Sequence, residues 1–295
     1  MKRFLPILVL ACAAASHAWE RPRNATPQAA SPASSQAASQ PSAQPATPAI
    51  PADQENARKA KALVDQAIQA LGGEAYLTIR DREVTGRTFG FHHGRSSGNG
   101  VEFWSFSEFP DKERVELTKQ RDIAELYVGN RAWEITYKGP KPIEPKDLDD
   151  YLRRRRFSLE TILRTWVIDP AVAMLYEGNA IAGQHPALQV TLINSKNEAV
   201  TLDFDIDTHL PVKKSFEWRD PVDKQKNLEE EIYENYRLVQ GVMTPYNVTG
   251  YFNGDMSRER FIFTVTFNTG LDETMFDPNS GYNPMKQPGK PSKKR

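Results

Sequence analysis

The histidines are the side chains most able to do chemistry in this sequence, and their spacing matches no catalytic or metal-binding pattern. Outside the first twenty residues they are His92, His93, His185 and His209. No His-Glu-x-x-His pattern occurs. Neighbours on a strand point to opposite faces, so His92 and His93 are poorly placed to share one metal ion. The histidines therefore predict no metal site.

Two further segments begin like functional motifs and depart from them at a required position. The alternating aspartates of residues 203–207 begin like a calcium loop, but Thr208 and Lys214 stand where that loop needs glycine and glutamate. We expect these aspartates to face solvent from an edge-like strand. The glycine-rich segment 94–100 lacks the Gly-Lys-Ser/Thr of a phosphate-binding loop. It favours a hairpin tip, with a mobile lid as the functional alternative.

The sequence also lacks the pattern of an activated nucleophile. No Gly-x-Ser-x-Gly motif occurs, and the one cysteine, Cys12, lies in the apolar N-terminal run. Neither an intrachain disulfide nor a cysteine nucleophile paired with a histidine is therefore expected. We predict that the protein is not an enzyme and has no catalytic residue, no cofactor and no metal.

The strongest charge run consists of Arg153, Arg154, Arg155 and Arg156. Four consecutive residues cover most of the circumference of a helix, so at least two of these side chains are expected to face water. The run has two interpretations. It is either a solvated helix end or a contact for anionic headgroups or an acidic partner, where each basic group near an anionic leaflet contributes about 1 kcal/mol.

Large apolar side chains are abundant on the predicted strands, and some strands carry them on both faces. A sheet covered by helices on one face needs only one apolar face. Either the sheet wraps round its own core, or it curves and encloses an apolar cavity for a lipid chain. In the second case the predicted lining is Trp104, Phe106, Trp133, Phe204, Trp218 and Phe263.

Hydrophobic periodicity divides residues 54–278 into an N-terminal helix, about ten strands and a helical segment in the middle. Apolar residues at 3–4 spacing predict a helix that Asp53 caps and Gly72 ends. After Gly73 the period changes to 2. In the last strand, 258–268, we expect Phe261, Phe263, Val265 and Phe267 to share one face.

The middle segment supplies the helices that would cover the sheet. Ser158 is predicted to cap a short helix. The apolar stripe of that helix is Leu159, Ile162, Leu163 and Trp166, which we call the helical plug. Asp169 and Pro170 are expected to begin one more helical turn that extends to Tyr176.

Both ends of the chain differ from its body. Lys2 and Arg3 precede a short apolar run, and small residues at Ser16 and Ala18 predict a signal peptide over 1–18. The alternative is lipidation of Cys12, which would attach the protein to a membrane. Residues 19–53 are rich in Ala, Pro, Ser and Gln, and 279–295 are basic. Both segments are predicted to be disordered.

The body is acidic although the whole chain is neutral. Nine of the 38 basic side chains but only two of the 38 acidic ones lie outside 54–278, so the body has a net charge of −7. This charge argues against a nucleic acid as the partner.

A series of motifs along the chain carries a family resemblance. They are Leu71-Gly72-Gly73 at the helix end, then 109–116, 126–133, 205–212, 267–272 and Met275–Pro278. With them residues 55–278 resemble the LolA/LolB-like superfamily of periplasmic lipoprotein carriers and lipid-binding lipoproteins. The resemblance implies an α+β fold: a strongly curved antiparallel sheet, or unclosed β-barrel, with helices covering its concave face and acyl chains between. The carriers hold their lid with an arginine directly before the first proline. Phe109 occupies that place here, so this contact is missing.

The same resemblance implies a periplasmic protein whose partner is an acyl lipid or a lipoprotein, with a role in transporting it through the envelope. The alternative is a non-enzymatic sensor or scaffold protein of the same fold with a filled core. Its partner would be a membrane surface or another envelope protein.

Overall fold

The computed structural model of the chain describes residues 51–281. The predicted signal peptide, Cys12, nearly all of the linker and most of the basic tail lie outside these residues and stay predictions. At the first junction, Ala52 and Asp53 already belong to a helix. At the second, Ser280 closes a turn by donating to the carbonyl oxygens of Thr274 and Asp277.

Helices occur in three places along residues 51–281. They are α1 (Ala52–Leu71), α2 (Glu74–Leu77), α3 (Pro145–Arg156) and α4 (Leu159–Arg164), with 3₁₀ helices at Trp166–Ile168 and Glu273–Phe276. None of them has the length and apolarity needed to cross a bilayer.

Helix α1 has the apolar face that its period predicted. Its residues Ala60, Leu63, Val64, Ala67, Ile68 and Leu71 are buried. The predicted cap is wrong. Pro51 is the N-cap residue, and Asp53 lies in the first turn, where its charge faces the positive end of the helix dipole. The helix ends at Gly72, where a Cβ would lie 2.4 Å from the carbonyl oxygen of Gly241. Glycine therefore allows α1 to end directly against this turn.

Fourteen strands form one antiparallel sheet. In chain order they are β1 (Asp81–His92), β2 (Arg95–Ser96), β3 (Val101–Glu108), β4 (Lys112–Leu117), β5 (Ile123–Val128), β6 (Arg131–Thr136), β7 (Gly139–Pro142), β8 (Ala173–Ala182), β9 (His185–Ile193), β10 (Ala199–Asp205), β11 (Pro211–Arg219), β12 (Lys226–Val239), β13 (Val242–Phe252) and β14 (Asp255–Phe267). The expected number of about ten was too low. Residues 180–194, which read from the sequence as one strand, belong to the two strands β8 and β9, and the short β2 and β7 were not predicted.

The order of the strands leaves the sheet open. It runs β7-β6-β5-β4-β3-β1-β14-β13-β12-β11-β10-β9-β8, and β2 pairs only with β1. The first and last long strands therefore meet in the middle, while β7 and β8 are the two edges. Helix α1 contacts β8, β9 and β13. At the β8 edge, the Asn56 side chain accepts from the N–H of Tyr176 and donates to its carbonyl oxygen, both at 2.8 Å. This is the α+β, unclosed antiparallel architecture that was expected.

The two faces of the sheet carry separate apolar clusters. Helices α1 and α4 pack on one face in the main core, together with strand residues such as Phe103 and Val200. On the other face, Phe106 and Leu126 form a smaller cluster with Met275 and Phe276 of the C-terminal segment. Phe103 and Phe106 stand on opposite faces of β3, as strand alternation requires.

A β-bulge overturns the predicted shared face of β14. Thr85 pairs with Thr264, but the next residue, Gly86, pairs with Ile262, so β14 has one extra residue here. A bulge reverses the alternation on one side of it. Val265 and Phe267 are therefore buried, whereas 39% of Phe261 and 53% of Phe263 are exposed.

The helical turn predicted at Asp169 and Pro170 is also wrong. The Asp169 carboxylate accepts from the N–H of Ala171, and its carbonyl oxygen accepts from that of Val172. These bonds make a turn of the kind that aspartate favours in place of a helix. The chain then enters the edge strand β8 at Ala173.

Candidate functional site

The helical plug lies in the main core. Ser158 caps α4 as predicted, because its Oγ accepts from the N–H of Thr161 at 3.2 Å. Ile162 and Leu163 are fully buried, Trp166 is 7% exposed, and Leu159 packs beside them. The structure therefore brings the four predicted plug residues together. That they move to admit a ligand stays a prediction.

Two arginines hold α4 against the start of the sheet. The Arg82 guanidinium donates to Glu160 Oε1 at 2.5 Å, and Arg164 donates to the carbonyl oxygens of Leu77 and Ile79 at 3.2 and 2.6 Å. Both guanidinium groups lie over the ring of Phe109, at 5.5 and 4.9 Å from its centroid. Phe109 therefore lies beneath one arginine from β1 and one from α4.

The charge of Glu160 is stabilised in this position. Burial alone would raise the pKa of its carboxyl, but Arg82 outweighs burial and holds that pKa below the usual value. An ion pair of two charged groups therefore links α4 to β1.

The six predicted lining residues do not face one common space. Phe204 is fully buried in the main core, and Trp218 is half-buried at its margin. Phe106, with Trp104 and Trp133 beside it, lies in the cluster on the other face of the sheet. Phe263 stands in the bulge, exposed. Contact of any of these side chains with an acyl chain stays a prediction.

A small cavity of about 240 Å³ borders the second cluster. Trp104 and Phe106 form its floor, and Leu271 and Met275 of the C-terminal segment lie across it. Sequence reasoning did not place this segment there, and the apolar pair Met275-Phe276 in the last motif was the available signal. Because the C-terminal segment covers the second face of the sheet, β3 carries aromatic residues on both of its faces.

A larger cavity of about 610 Å³ lies between α3 and strands β11 to β14, and its lining is mostly charged. Its main contributors are Lys146, Asp150, Arg153 and Arg154 from α3, Lys214, Phe216 and Trp218 from β11, Glu229 and Glu231 from β12, and Arg258 from β14. Among these strand residues, sequence reasoning singled out only Trp218, as part of a lipid-cavity lining, and missed the charged ones. Charged residues at alternate positions, as in Arg258-x-Arg260, were the available signal.

The arginine run is mostly engaged within the protein. Arg153 donates to Asp150 at 2.8 Å and to Glu229 at 3.1 Å, and its guanidinium lies 3.4 Å from the centre of the Trp218 ring. Arg155 donates to the carbonyl oxygen of Asp111, and Arg156 pairs with Glu198 at 3.1 Å. Only Arg156 is exposed. The expectation that at least two would face water is met only in part, because Arg153, Arg154 and Arg155 are half-buried where α3 lies over the sheet.

Glu231 is the central acid of this cavity. It accepts from Lys214 Nζ at 2.6 Å, from the Tyr233 hydroxyl at 2.7 Å and from the Arg258 guanidinium. Burial alone would raise the pKa of its carboxyl, but Lys214 and then Arg258 outweigh burial and hold that pKa far below its usual value. Lys214 itself is only 3% exposed.

Replacing Glu231 by glutamine is expected to flatten the pH dependence of stability. A depressed folded-state pKa stabilises the protein above the unfolded value of about 4.3, and this stability is lost as the pH falls below it. Glu231→Gln should also cost about 3 kcal/mol at pH 7, since it leaves Lys214 buried without its carboxylate. Urea unfolding between pH 7 and pH 2.5 tests this. Glu234→Gln, an exposed neighbour on β12, should behave like the unaltered protein; an equally steep curve for Glu231→Gln would contradict the assignment.

Two expectations about the titratable residues need correction. His93 has a φ of 48°, so strand alternation stops at His92. The two rings therefore lie 4.2 Å apart and do not point to opposite faces as expected.

Strand β10, which carries the alternating aspartates, lies between β9 and β11, so it is not the edge-like strand that was expected. Asp203 is buried there, accepts from the Gln189 amide at 2.7 Å, and has a pKa raised by burial.

The two remaining sequence features are the glycine-rich segment and the side chains able to bind a metal ion. Segment 94–100 is a hairpin tip between β1 and β3, in which β2 pairs back onto β1. Within residues 51–281, no group of three His, Cys, Asp or Glu side chains could hold a metal ion.

Comparison with known proteins identifies the fold. No protein family matches the sequence, and neither does any curated protein. Solved structures do match. A DUF1329 family protein from Desulfovibrio piger has a TM-score of 0.52 at 12% identity, over 74% of this chain and 97% of that one. An outer membrane lipoprotein-sorting protein domain, so described, from Vibrio parahaemolyticus has a TM-score of 0.50 at 16% identity, over 76% and 98%.

The chain has a LolA-like fold. The two matches cover nearly the whole of those structures, and they agree with the resemblance carried by the motifs. At such low identity the likeness concerns the fold alone. Within this fold, two separate regions offer space or surface for a ligand. One is the core beneath the α4 plug, and the other is the charged cavity beside α3.

Proposed function

We propose that this chain is an exported, non-enzymatic protein of the cell envelope that binds an acyl lipid or a lipoprotein, and that the α4 plug moves aside to admit the acyl chain. The observation that carries the proposal is the plug itself. Its residues Ile162 and Leu163 are fully buried, yet they belong to a helix of six residues. Helices this short are not stable alone, so α4 holds its place through packing and its arginine contacts.

An acyl chain can replace the plug at little net cost. Burying a large apolar side chain contributes about 1.5–3 kcal/mol, so the four plug residues together contribute about 6–12 kcal/mol. A chain of about fourteen methylenes contributes about 11 kcal/mol gross when buried. The burial free energies of the plug and of an acyl chain are therefore similar. A small difference in free energy then shifts the population between the closed form and the form with a bound acyl chain.

The choice of an acyl ligand rests partly on analogy. The lipoprotein-sorting description belongs to the Vibrio parahaemolyticus domain, and a shared fold alone does not transfer an activity. It supports an acyl chain over other apolar ligands. Transport of the bound lipid through the envelope is part of the same proposal.

A filled core favours a second function. Val190, Leu192, Val200, Leu202 and Phe204 are fully buried with the plug in place. If the plug never opens, the chain is a sensor or scaffold that docks on a membrane surface or an envelope protein.

Adding palmitate to the delipidated full chain is expected to change the fluorescence of Trp166, with micromolar affinity, because the plug leaves the core. Trp166→Phe should remove this signal, whereas Trp133→Phe, on the other face of the sheet, should keep it. Native mass spectrometry counts the bound acyl chains independently.

A second variant tests the plug movement. Glu160→Gln removes the partly buried ion pair with Arg82, which contributes about 0.5–1 kcal/mol to the closed state. It should therefore raise the affinity for palmitate about two- to fivefold. A folded, delipidated chain that binds no acyl ligand at micromolar concentration would replace this proposal by the docking function.

A further inference from the structure

The charged cavity beside α3 contains donors for which the protein supplies no acceptor. Within residues 51–281, the Arg154 side chain makes no hydrogen bond or ion pair. The Arg258 Nε and the Trp218 Nε1 are buried and have no hydrogen-bond partner there either. Unpaired buried donors are costly, so the Arg258 Nε and the Trp218 Nε1 favour an acceptor that the described residues do not provide. The half-buried Arg154 guanidinium lines the same cavity.

The carboxylates around the cavity are, by contrast, already engaged. Asp150 and Glu229 both accept from Arg153, and Glu231 accepts from Lys214 and Arg258. Asp220 and Asp223 accept from backbone N–H groups of their own turn. Among the described lining residues, the groups left without a partner are therefore donors, two of them on arginines and one on the Trp218 indole, although the lining contains acids and bases in similar numbers.

A third arginine adds to this surplus. Arg260 lies two residues from Arg258 and on the same face of β14, and within 51–281 it makes no ion pair. Its side chain reaches solvent, but the surrounding sheet displaces much of the water. This desolvation and then the neighbouring Arg258 lower the pKa of Arg260 to about 10, with a smaller effect of Arg154. The three cationic guanidinium groups repel one another.

Glycine at position 250 allows the cavity to have this form. It pairs with Arg258 across β13 and β14. A Cβ at Gly250 would lie 2.9 Å from Arg258 Cγ and 3.0 Å from its Nε. The arginine therefore lies flat over the strand, with its guanidinium directed at Glu231 and the cavity.

We propose that the cavity between α3 and β14 binds a phosphate group, with Arg154 and Arg258 as its principal ligands. A phosphate offers several acceptor oxygens and negative charge, which match the planar donor fork of arginine. The group can belong to a lipid headgroup or be free phosphate. This site does not depend on acyl binding, because the cavity is present with the plug in place.

Isothermal titration calorimetry of the full chain tests the site with three probes: inorganic phosphate, dihexanoyl phosphatidic acid and dihexanoyl phosphatidylcholine. We expect binding of a phosphate-bearing anion that weakens as salt is added. Arg154→Gln and Arg258→Gln should each reduce the affinity about tenfold or more, as loss of a charged hydrogen bond does. Arg156→Gln is the matched control, since it belongs to the same run but pairs with Glu198 outside the cavity.

The outcomes separate the sources of the phosphate. Equal binding of inorganic phosphate and phosphatidic acid supports a free anion as ligand, and binding of phosphatidic acid alone supports a lipid headgroup. Equal binding of phosphatidic acid and phosphatidylcholine would show that net charge is not recognised and would overturn the proposal. So would binding of no probe, or an equal loss in Arg156→Gln. Circular dichroism of Arg154→Gln, which breaks no internal ion pair, confirms that any loss occurs in a folded protein.

Discussion

Glu116→Ala is expected to lower the free energy of unfolding by about 3–5 kcal/mol. Glu116 is fully buried on β4 and accepts from Arg114 Nε at 2.7 Å and from Arg121 Nε at 2.6 Å. Arg114 is 3% exposed and also donates to the carbonyl oxygen of Met275. Glu116→Ala removes the negative charge that lies between the Arg114 and Arg121 guanidinium groups in a poorly hydrated place.

Urea unfolding at pH 7 measures this loss. Glu144→Ala is the matched control, because Glu144 pairs with Lys141 at 3.7 Å and both side chains are 71% exposed. Such a pair contributes about 0–0.5 kcal/mol. The C-terminal segment should also become more sensitive to protease, since it lies over the buried ions through Met275. A loss below about 1 kcal/mol for Glu116→Ala would contradict the buried ion network.

Phe204→Ala is expected to cost about 3–5 kcal/mol, because the Phe204 side chain is fully buried and its removal leaves a cavity in the main core. Phe263→Ala should cost less than about 0.5 kcal/mol, because 53% of Phe263 is exposed in the bulge. Both phenylalanines were predicted from the sequence to line one lipid cavity. The structure instead separates them by their burial.

The pair of variants tests this separation in the delipidated protein. Urea unfolding should give very different midpoints for the two. Similar losses would mean that both side chains stand in comparable surroundings, as a shared cavity wall would require. A small loss for Phe204→Ala alone would mean that the core can relax around the missing ring, as it would beside a preformed cavity.

Local periodicity predicted the parts of the fold that depend on neighbours in the sequence. The apolar face of α1 and the Ser158 cap follow from spacings of three and four residues, so they could be predicted. The extra residue of β14 could not, since it appears only when β14 pairs with β1, at Thr85 and Gly86. One such residue moves Phe263 from the expected face to solvent.

The charged sites depend on partners far apart in the chain. Lys214 and Glu231 are 17 residues apart, and Arg82 and Glu160 are 78 apart. The sequence shows abundant charges of both signs but not which of them meet. The sequence therefore revealed the arginine run itself. Only the structure shows which of its side chains bind internal partners and that Arg154 lines the cavity.

The open edge at β8 bears on how this protein avoids associating with itself. Edge strands expose backbone donors and acceptors that can recruit a strand from another molecule and begin aggregation. Tyr176 lies in the middle of that edge, and the Asn56 amide already occupies both of its outward backbone groups. The register also shifts between Tyr176 and Gly178, which interrupts the regular backbone spacing. An incoming strand therefore meets two short pieces of edge and no continuous template. The side chain of one asparagine satisfies the backbone groups that a further strand would otherwise pair with.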